Sequence, residues 1–235
     1  MTGLPDDRLF AVVGMDGAIV WQGAVPRLAT VQARLAHGGT TLALSAPGAD
    51  DLTVDVIPDG PVRSVDVDKW PGAGIDQGDD VATWLSDLLA KPVRLVREPA
   101  RAARARHPDP TALLIISESS LDCLNSRIQR RDATPVPMSR FRPNLVITAW
   151  PDPHTEDRVH RMTIGATVIG FGELAIRCAV TTIDQTTGTR RGPEPLRTLA
   201  DYRREPDGVS FGLKATVLTP GRIAIHDPVT VTAWR

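Results

Sequence analysis

Short apolar runs, cut at intervals by glycine, proline and aspartate, limit what this chain can fold into more than any other feature. Within the first seventy residues, "RLFAVV" and "AIVWQG" flank "GMDG", where Asp16-Gly17 is a hairpin turn signal. "TTLALS" and "LTVDVI" follow, separated by "APGADD", and "VRSVDV" closes the series. Regular short strands joined by such turns predict a small barrel or sandwich.

The period changes at Asp79. "DDVATWLSDLLAKP" sets Val81, Trp84, Leu85, Leu88 and Leu89 on one helical face, with Asp79 or Asp80 as the cap and Pro92 as the stop. A domain boundary is expected just before this helix, giving domains over 1–75 and 76–235. "PVRLVRE" and "TALLIIS" read as strands. Between them, "REPARAARARHPDP" gathers Arg97, Arg101, Arg104 and Arg106, as a solvated loop or as a local anion patch. "SSLDCLNSRI" reads as a short helix with a Ser119/Asp122 capping box, an apolar face of Leu121, Leu124 and Ile128, and a structural Cys123. From Asn144 the pattern is β again, apart from a third short helix in "EPLRTLADYRRE". The expected fold is mainly β with a few short helices.

Composition excludes several functions. A net charge of −1 gives the whole chain no general attraction for nucleic acid or anionic membrane. Two cysteines make neither a disulfide framework nor a four-thiolate metal site, so a reducing cytoplasm is the expected compartment. "MTGLPDDRLF" does not read as a secretory signal, and no apolar stretch approaches the roughly 20 residues that span a bilayer. The five histidines form no HExxH pair, and neither GxSxG nor GxxxxGK[ST] occurs. "GFG" at 170–172 reads as a turn between strands.

This leaves Cys178, in "RCAVTTID". Strand alternation puts Leu174, Ile176, Cys178 and Val180 on one side and Arg177 on the other. An apolar neighbourhood of that kind makes an inert core thiol. The functional reading rests on Arg177, Thr181, Thr182 and Asp184 close by. A strand ending in hydroxyls and a carboxylate can approach a pocket rim, where a thiolate can hold a soft metal such as molybdenum. Both readings stand on pattern alone.

Taken in order, "DDVATWLSDLLAKPVRLVRE", "ISESSLDCLNSRI", "RFRPNLVI", "RCAVTTIDQTTG", "EPLRTLADYRR" and "FGLKATVLTPGRIAIHDPV" resemble the MOSC family, the molybdenum cofactor sulfurase C-terminal domains. "GLPDDRLFAVVGMDGAIVWQGAVPRLATV" resembles the companion N-terminal β-barrel domain. The resemblance covers nearly the whole chain. It implies a Mo-molybdopterin cofactor with Cys178 as metal ligand and catalytic residue. It implies cofactor contacts from Arg8, Asp109, Thr111, Arg142 and Asn144, with Arg177 and Lys214 as further cofactor-binding candidates. Guanidinium forks suit a phosphate, and an Asn amide suits a pterin edge.

The chain departs from the family pattern at three places. Two earlier strands with a Lys-Ser pair are expected before "MTGLPDDR", so either the reading frame starts upstream or the barrel is shortened. Ala175 stands where relatives often carry a cysteine, and Leu213 and Lys214 follow "FG" where Gln and then Asn or an aromatic are usual. The implied activity is reduction of N-hydroxylated small molecules, with electrons from a ferredoxin-like or flavin reductase and no nucleic-acid or membrane partner. The alternatives are a cofactor or sulfur carrier module (such domains also occur beside pyridoxal-phosphate-dependent desulfurases) and a non-catalytic relative.

Overall fold

The short runs form short strands. The computed structural model describes residues 3–4, 6–68, 70, 72–99, 112–148 and 150–235. Internal contacts divide the chain into two units: Asp6–Ala105 with Ile183–Arg190, and Met1–Pro5 with Arg106–Thr182 and Arg191–Arg235.

The first unit holds β1 (Phe10–Gly14), β2 (Gln32–Ala36), β3 (Thr41–Ala46), β4 (Ala49–Asp55), β5 (Val62–Ser64), β6 (Ala73–Asp76), α1 (Asp79–Leu89) and β7 (Val93–Arg97). One sheet runs β1-β7-β6-β5 and another β2-β3-β4. The turn at "GMDG" forms, with Gly14 N donating to Ala18 O and Asp16 Oδ1 accepting from Ala18 N. The strand expected over "AIVWQG" does not: beyond the turn only Ala18 and Ile19 make isolated bridges.

Helix α1 buries Val81, Leu85, Leu88 and Leu89 against Leu42, Leu44, Val93 and Leu95. That shared core groups α1 and β7 with residues 6–105, whereas the sequence expectation placed a boundary before the helix. The expected cap also differs. Gly78 is the N-cap and uses no side chain, while Asp79 and Asp80 fill the first turn, where carboxylates favour the helix dipole.

The second unit holds β8 (Leu113–Ser117), α2 (Glu118–Gln129), β9 (Leu145–Ile147), β10 (Val159–Ile164), β11 (Thr167–Arg177), α3 (Leu196–Tyr202), β12 (Arg204–Glu205), β13 (Gly208–Thr219) and β14 (Val229–Trp234). Its sheet runs β14-β10-β11-β13-β8-β9, with β12 beside β13. All pairs are antiparallel except β8 with β9, which α2 connects as a crossover. The expected Ser119/Asp122 box is not the cap. β8 runs directly into the helix, so Ser117 caps it by accepting from Ser120 N.

Two apolar clusters lie on this sheet, and β13 contributes to both. Phe211 packs with Leu114, Ile116 and Leu124, while Leu213 and Ala215 pack with Leu113, Ile115 and Ile169. Residues 211, 213 and 215 would share one face of a regular strand. Gly212, at φ +89°, breaks that alternation, and a Cβ there would lie 2.7 Å from Ile116 Cγ1. "GFG" is not a turn. It lies inside β11, where the register shifts between Phe171 and Glu173. A bulge absorbs Gly172, and the chain instead reverses at Gly165.

Candidate functional site

The geometry around Cys178 begins where a strand runs out of partners. The last rung of β11 pairs Arg177 with Val209, and β13 begins one residue earlier, at Gly208. Cys178 leaves the sheet there and is exposed. The expectation that it shares a buried face with Ile176 and Val180 is therefore corrected: those two are only half-buried, the core residue of this stretch is Ala175, and the strand itself ends at Arg177. A 3-10 turn, Ala179–Thr182, follows. Thr181 donates to the Cys178 carbonyl from its amide at 3.1 Å and from Oγ1 at 3.0 Å. Thr182 Oγ1 donates to Ala179 O at 2.7 Å. Both threonines are buried. Asp184 caps the next turn, accepting from the amides of Thr186 and Thr187.

Arg177 reaches across to the "RFRPN" loop. Its Nη2 donates to Phe141 O at 2.9 Å, and its guanidinium lies 5.6 Å from the Phe141 ring centroid. Phe141 is buried and packs on Phe211, with centroids 4.4 Å apart. Arg177 Nε is buried and has no hydrogen-bond partner. Burial pulls the Arg177 guanidinium down to about 10; Arg142 pushes the same way and Cys178 opposes. Through the bond to Phe141, Arg177 ties the strand end at Cys178 to the loop that carries Arg142. Arg142 is exposed and holds a left-handed backbone at φ +53°, rare for a non-glycine residue.

Sequence reasoning missed Arg140 and Phe141. Arg140 is 5% exposed and donates from Nη1 to Thr181 O at 3.4 Å, tying the loop to the cysteine turn. The signal for them is the pentapeptide "RFRPN" itself, which holds Arg140 and Phe141 beside Arg142 and Asn144.

The remaining candidates lie elsewhere. Asn144 opens β9: its amide donates to Leu114 O and its Oδ1 accepts from Leu114 N, both at 2.8 Å. It also lines a mainly apolar cleft of about 620 Å³ with Leu145, Ile147, Ile164 and His226. Lys214 sits opposite Glu173 in register and pairs with its carboxylate at 2.7 Å. Glu173 is four residues from Arg177, roughly 13 Å along the strand. Arg8 belongs to the other unit, at φ +58°, with Asp7 3.8 Å away. Asp109 and Thr111 lie outside the described residues, as do Arg101, Arg104 and Arg106 of the basic segment. Arg97 of that segment has buried Nε and Nη1 atoms without hydrogen-bond partners.

Among the described residues, no three His, Cys, Asp or Glu side chains gather as a metal site. Cys178 could offer a metal one thiolate. The donor set suits the implied cofactor. The exposed thiol is soft, and the buried guanidinium of Arg177, next in sequence, offers an N–H still in need of an acceptor. No described helix is long and apolar enough to cross a membrane.

The model of the MOSC N-terminal beta barrel domain matches residues 1–92, and that of the MOSC domain matches residues 103–230. Mitochondrial amidoxime-reducing component 1 of Homo sapiens is 32% identical over 254 residues, covering 95% of this chain and 72% of that protein. Mitochondrial amidoxime reducing component 2 of Bos taurus is 30% identical with the same coverage. Molybdenum cofactor sulfurase of Danio rerio is 31% identical over 90% of this chain, which spans only 28% of that longer protein. With two family models in sequence order and relatives aligned along nearly all its length, this chain belongs to the MOSC family.

Proposed function

We propose that the protein is a molybdenum-cofactor oxidoreductase that reduces N-hydroxylated small molecules with electrons from a separate redox partner. The observation that carries this reading is the exposed Cys178 thiol at a strand end, next in sequence to Arg177, whose guanidinium bonds the loop that carries Arg142. When bound, the cofactor supplies two-electron redox chemistry at a metal with room for a substrate oxygen. Cys178 would hold that metal through sulfur. Arg177 and Arg142 would bind the anionic part of the cofactor, and the orphaned Arg177 Nε would find its acceptor there.

Reduction of N–OH to N–H consumes two electrons and two protons and releases water. A ferredoxin-like or flavin reductase is the proposed donor, and the cytoplasm the proposed compartment. The amidoxime-reducing relatives support this substrate class.

Cys178→Ser tests the reading. It keeps nearly the same volume and replaces a soft donor with a hard one. We expect loss of N-hydroxyl reductase activity with unchanged circular dichroism, while Cys123→Ser keeps its turnover. Wild-type turnover by the Cys178→Ser protein would refute the ligand assignment. A second reading, a cofactor or sulfur carrier, draws on the exposed thiol and on the likeness to the sulfurase. Cyanide-releasable sulfur on Cys178, together with absent reductase activity, would favour it.

A further inference from the structure

We infer that Thr181 is a positioning residue that fixes how the Cys178 thiol is presented. The inference rests on Cys178 being the functional thiol. Cys178 is exposed, so packing does not restrain it, yet Thr181, three residues on, is only 1% exposed. Both hydrogen-bond donors of Thr181 reach one atom, the Cys178 carbonyl oxygen, at 3.1 and 3.0 Å. A carbonyl has two lone pairs, and this one residue engages the carbonyl twice.

The consequence is geometric. The peptide plane after Cys178 is rigid. Holding its oxygen holds ψ of Cys178, and with it the direction of the Cα–Cβ bond relative to the turn. The turn is anchored in its own right, because Thr181 O accepts from the buried Arg140 at 3.4 Å and Thr182 Oγ1 holds Ala179 O at 2.7 Å. Arg140 is two residues from Arg142, so the restraint also sets the thiol against the loop that carries that guanidinium. The sheet cannot supply this restraint, because its pairing ends at Arg177. A ligand thiol must stay within roughly 0.5 Å and 10–20° of its working geometry. An exposed cysteine on a free turn would not.

The test uses a Cys123→Ser background, so that Cys178 is the sole thiol. Thr181→Val removes the hydroxyl and keeps the shape, Thr181→Ala removes both, and Thr181→Ser keeps the hydroxyl. In cofactor-free protein, a nitroxide label on Cys178 reports turn mobility by its electron paramagnetic resonance line shape. We expect narrower lines in Thr181→Val and Thr181→Ala, and parent-like lines in Thr181→Ser.

In protein from a cofactor-replete host, we expect molybdenum retained after dialysis to fall about fivefold in Thr181→Val, the equivalent of one hydrogen bond. A broadened Mo(V) signal should accompany that loss, and Thr181→Ser should restore both. Parent-like label spectra in Thr181→Val and Thr181→Ala would overturn the inference. So would a Thr181→Ser spectrum as mobile as theirs, since volume rather than the hydroxyl would then matter. If the parent protein retains no molybdenum, the oxidoreductase reading fails while the label spectra still decide the role of Thr181.

Discussion

Acid should destabilise this protein through His154. The ring lies against Tyr202, with centroids 5.6 Å apart, and meets Phe211 edge-on at 6.1 Å. Both ring nitrogens are buried without a hydrogen-bond partner. Burial, with the Arg203 and Arg127 charges pushing the same way, pulls the imidazole down to about 4 from 6.5. Above pH 6.5 the ring is neutral in both states and contributes nothing. As pH falls from 6.5 towards 4, the unfolded chain takes up a proton that the folded ring refuses, and stability declines. Below pH 4 the loss is complete.

A gap of about 2.5 units corresponds to about 3 kcal/mol, reduced to about 2 kcal/mol because the residue is partly exposed. Asp157, whose carboxyl burial pushes up, acts in the opposite direction. The comparison must therefore be between two proteins, not two pH values alone. His154→Phe keeps an aromatic ring and removes the two unpaired nitrogens. Its cost at the left-handed backbone of residue 154, φ +61°, is the same at every pH and cancels in the comparison. Urea unfolding at pH 7.5 and 4.5 should show the wild type losing about 2 kcal/mol more than the variant between those conditions. Parallel pH dependence in the two proteins would refute the reasoning.

Two further outcomes follow from the same geometry. Gly212→Ala should cost about 2–4 kcal/mol in urea unfolding, from left-handed strain and overpacking; the new Cβ would lie 2.7 Å from Ile116 Cγ1 and 2.9 Å from Ile115 O. A loss below about 0.5 kcal/mol, the usual scale of a surface change, would show that β13 need not cross β8 so closely. Arg142→Ala should leave the fold intact and reduce cofactor retention roughly tenfold or more, as expected for a lost charge-assisted contact. Unaltered molybdenum content after dialysis would count against the role of Arg142.

Local patterns revealed much of this molecule. The apolar faces of α1 and α2 follow helical spacing and are the faces buried against their cores. Six blocks in order carried the family. What the patterns could not carry are features set by a partner far along the chain. Gly78 and Ser117 cap their helices because β6 and β8 end where they do, three residues and one residue before the helix starts. "GFG" continues as strand because β13 lies beside it and a bulge takes up the mismatch. The helix at Asp79 looked like the start of a new domain because the period changed there, yet its apolar face is built into the core of the strands before it.

Cys178 shows the same dependence at the functional site. Alternation along "ELAIRC" groups its side chain with Leu174 and Ile176, but the core takes Ala175 from this strand and leaves those two half-buried. The strand lasts as long as β13 can pair with it, and β13 begins at Gly208, thirty positions after the cysteine. Its last rung, Arg177 with Val209, stops one residue short of Cys178. Beyond that rung the thiol, unlike the half-buried Leu174 and Ile176 on the same alternation, is exposed. No periodicity within the segment encodes it. What the segment does encode is the restraint needed once the sheet lets go: two threonines whose hydroxyls close the turn onto the carbonyls of Cys178 and Ala179. The "RCAVTT" stretch thus reads physically as a strand end, a released thiol and the two side chains that hold its turn in place.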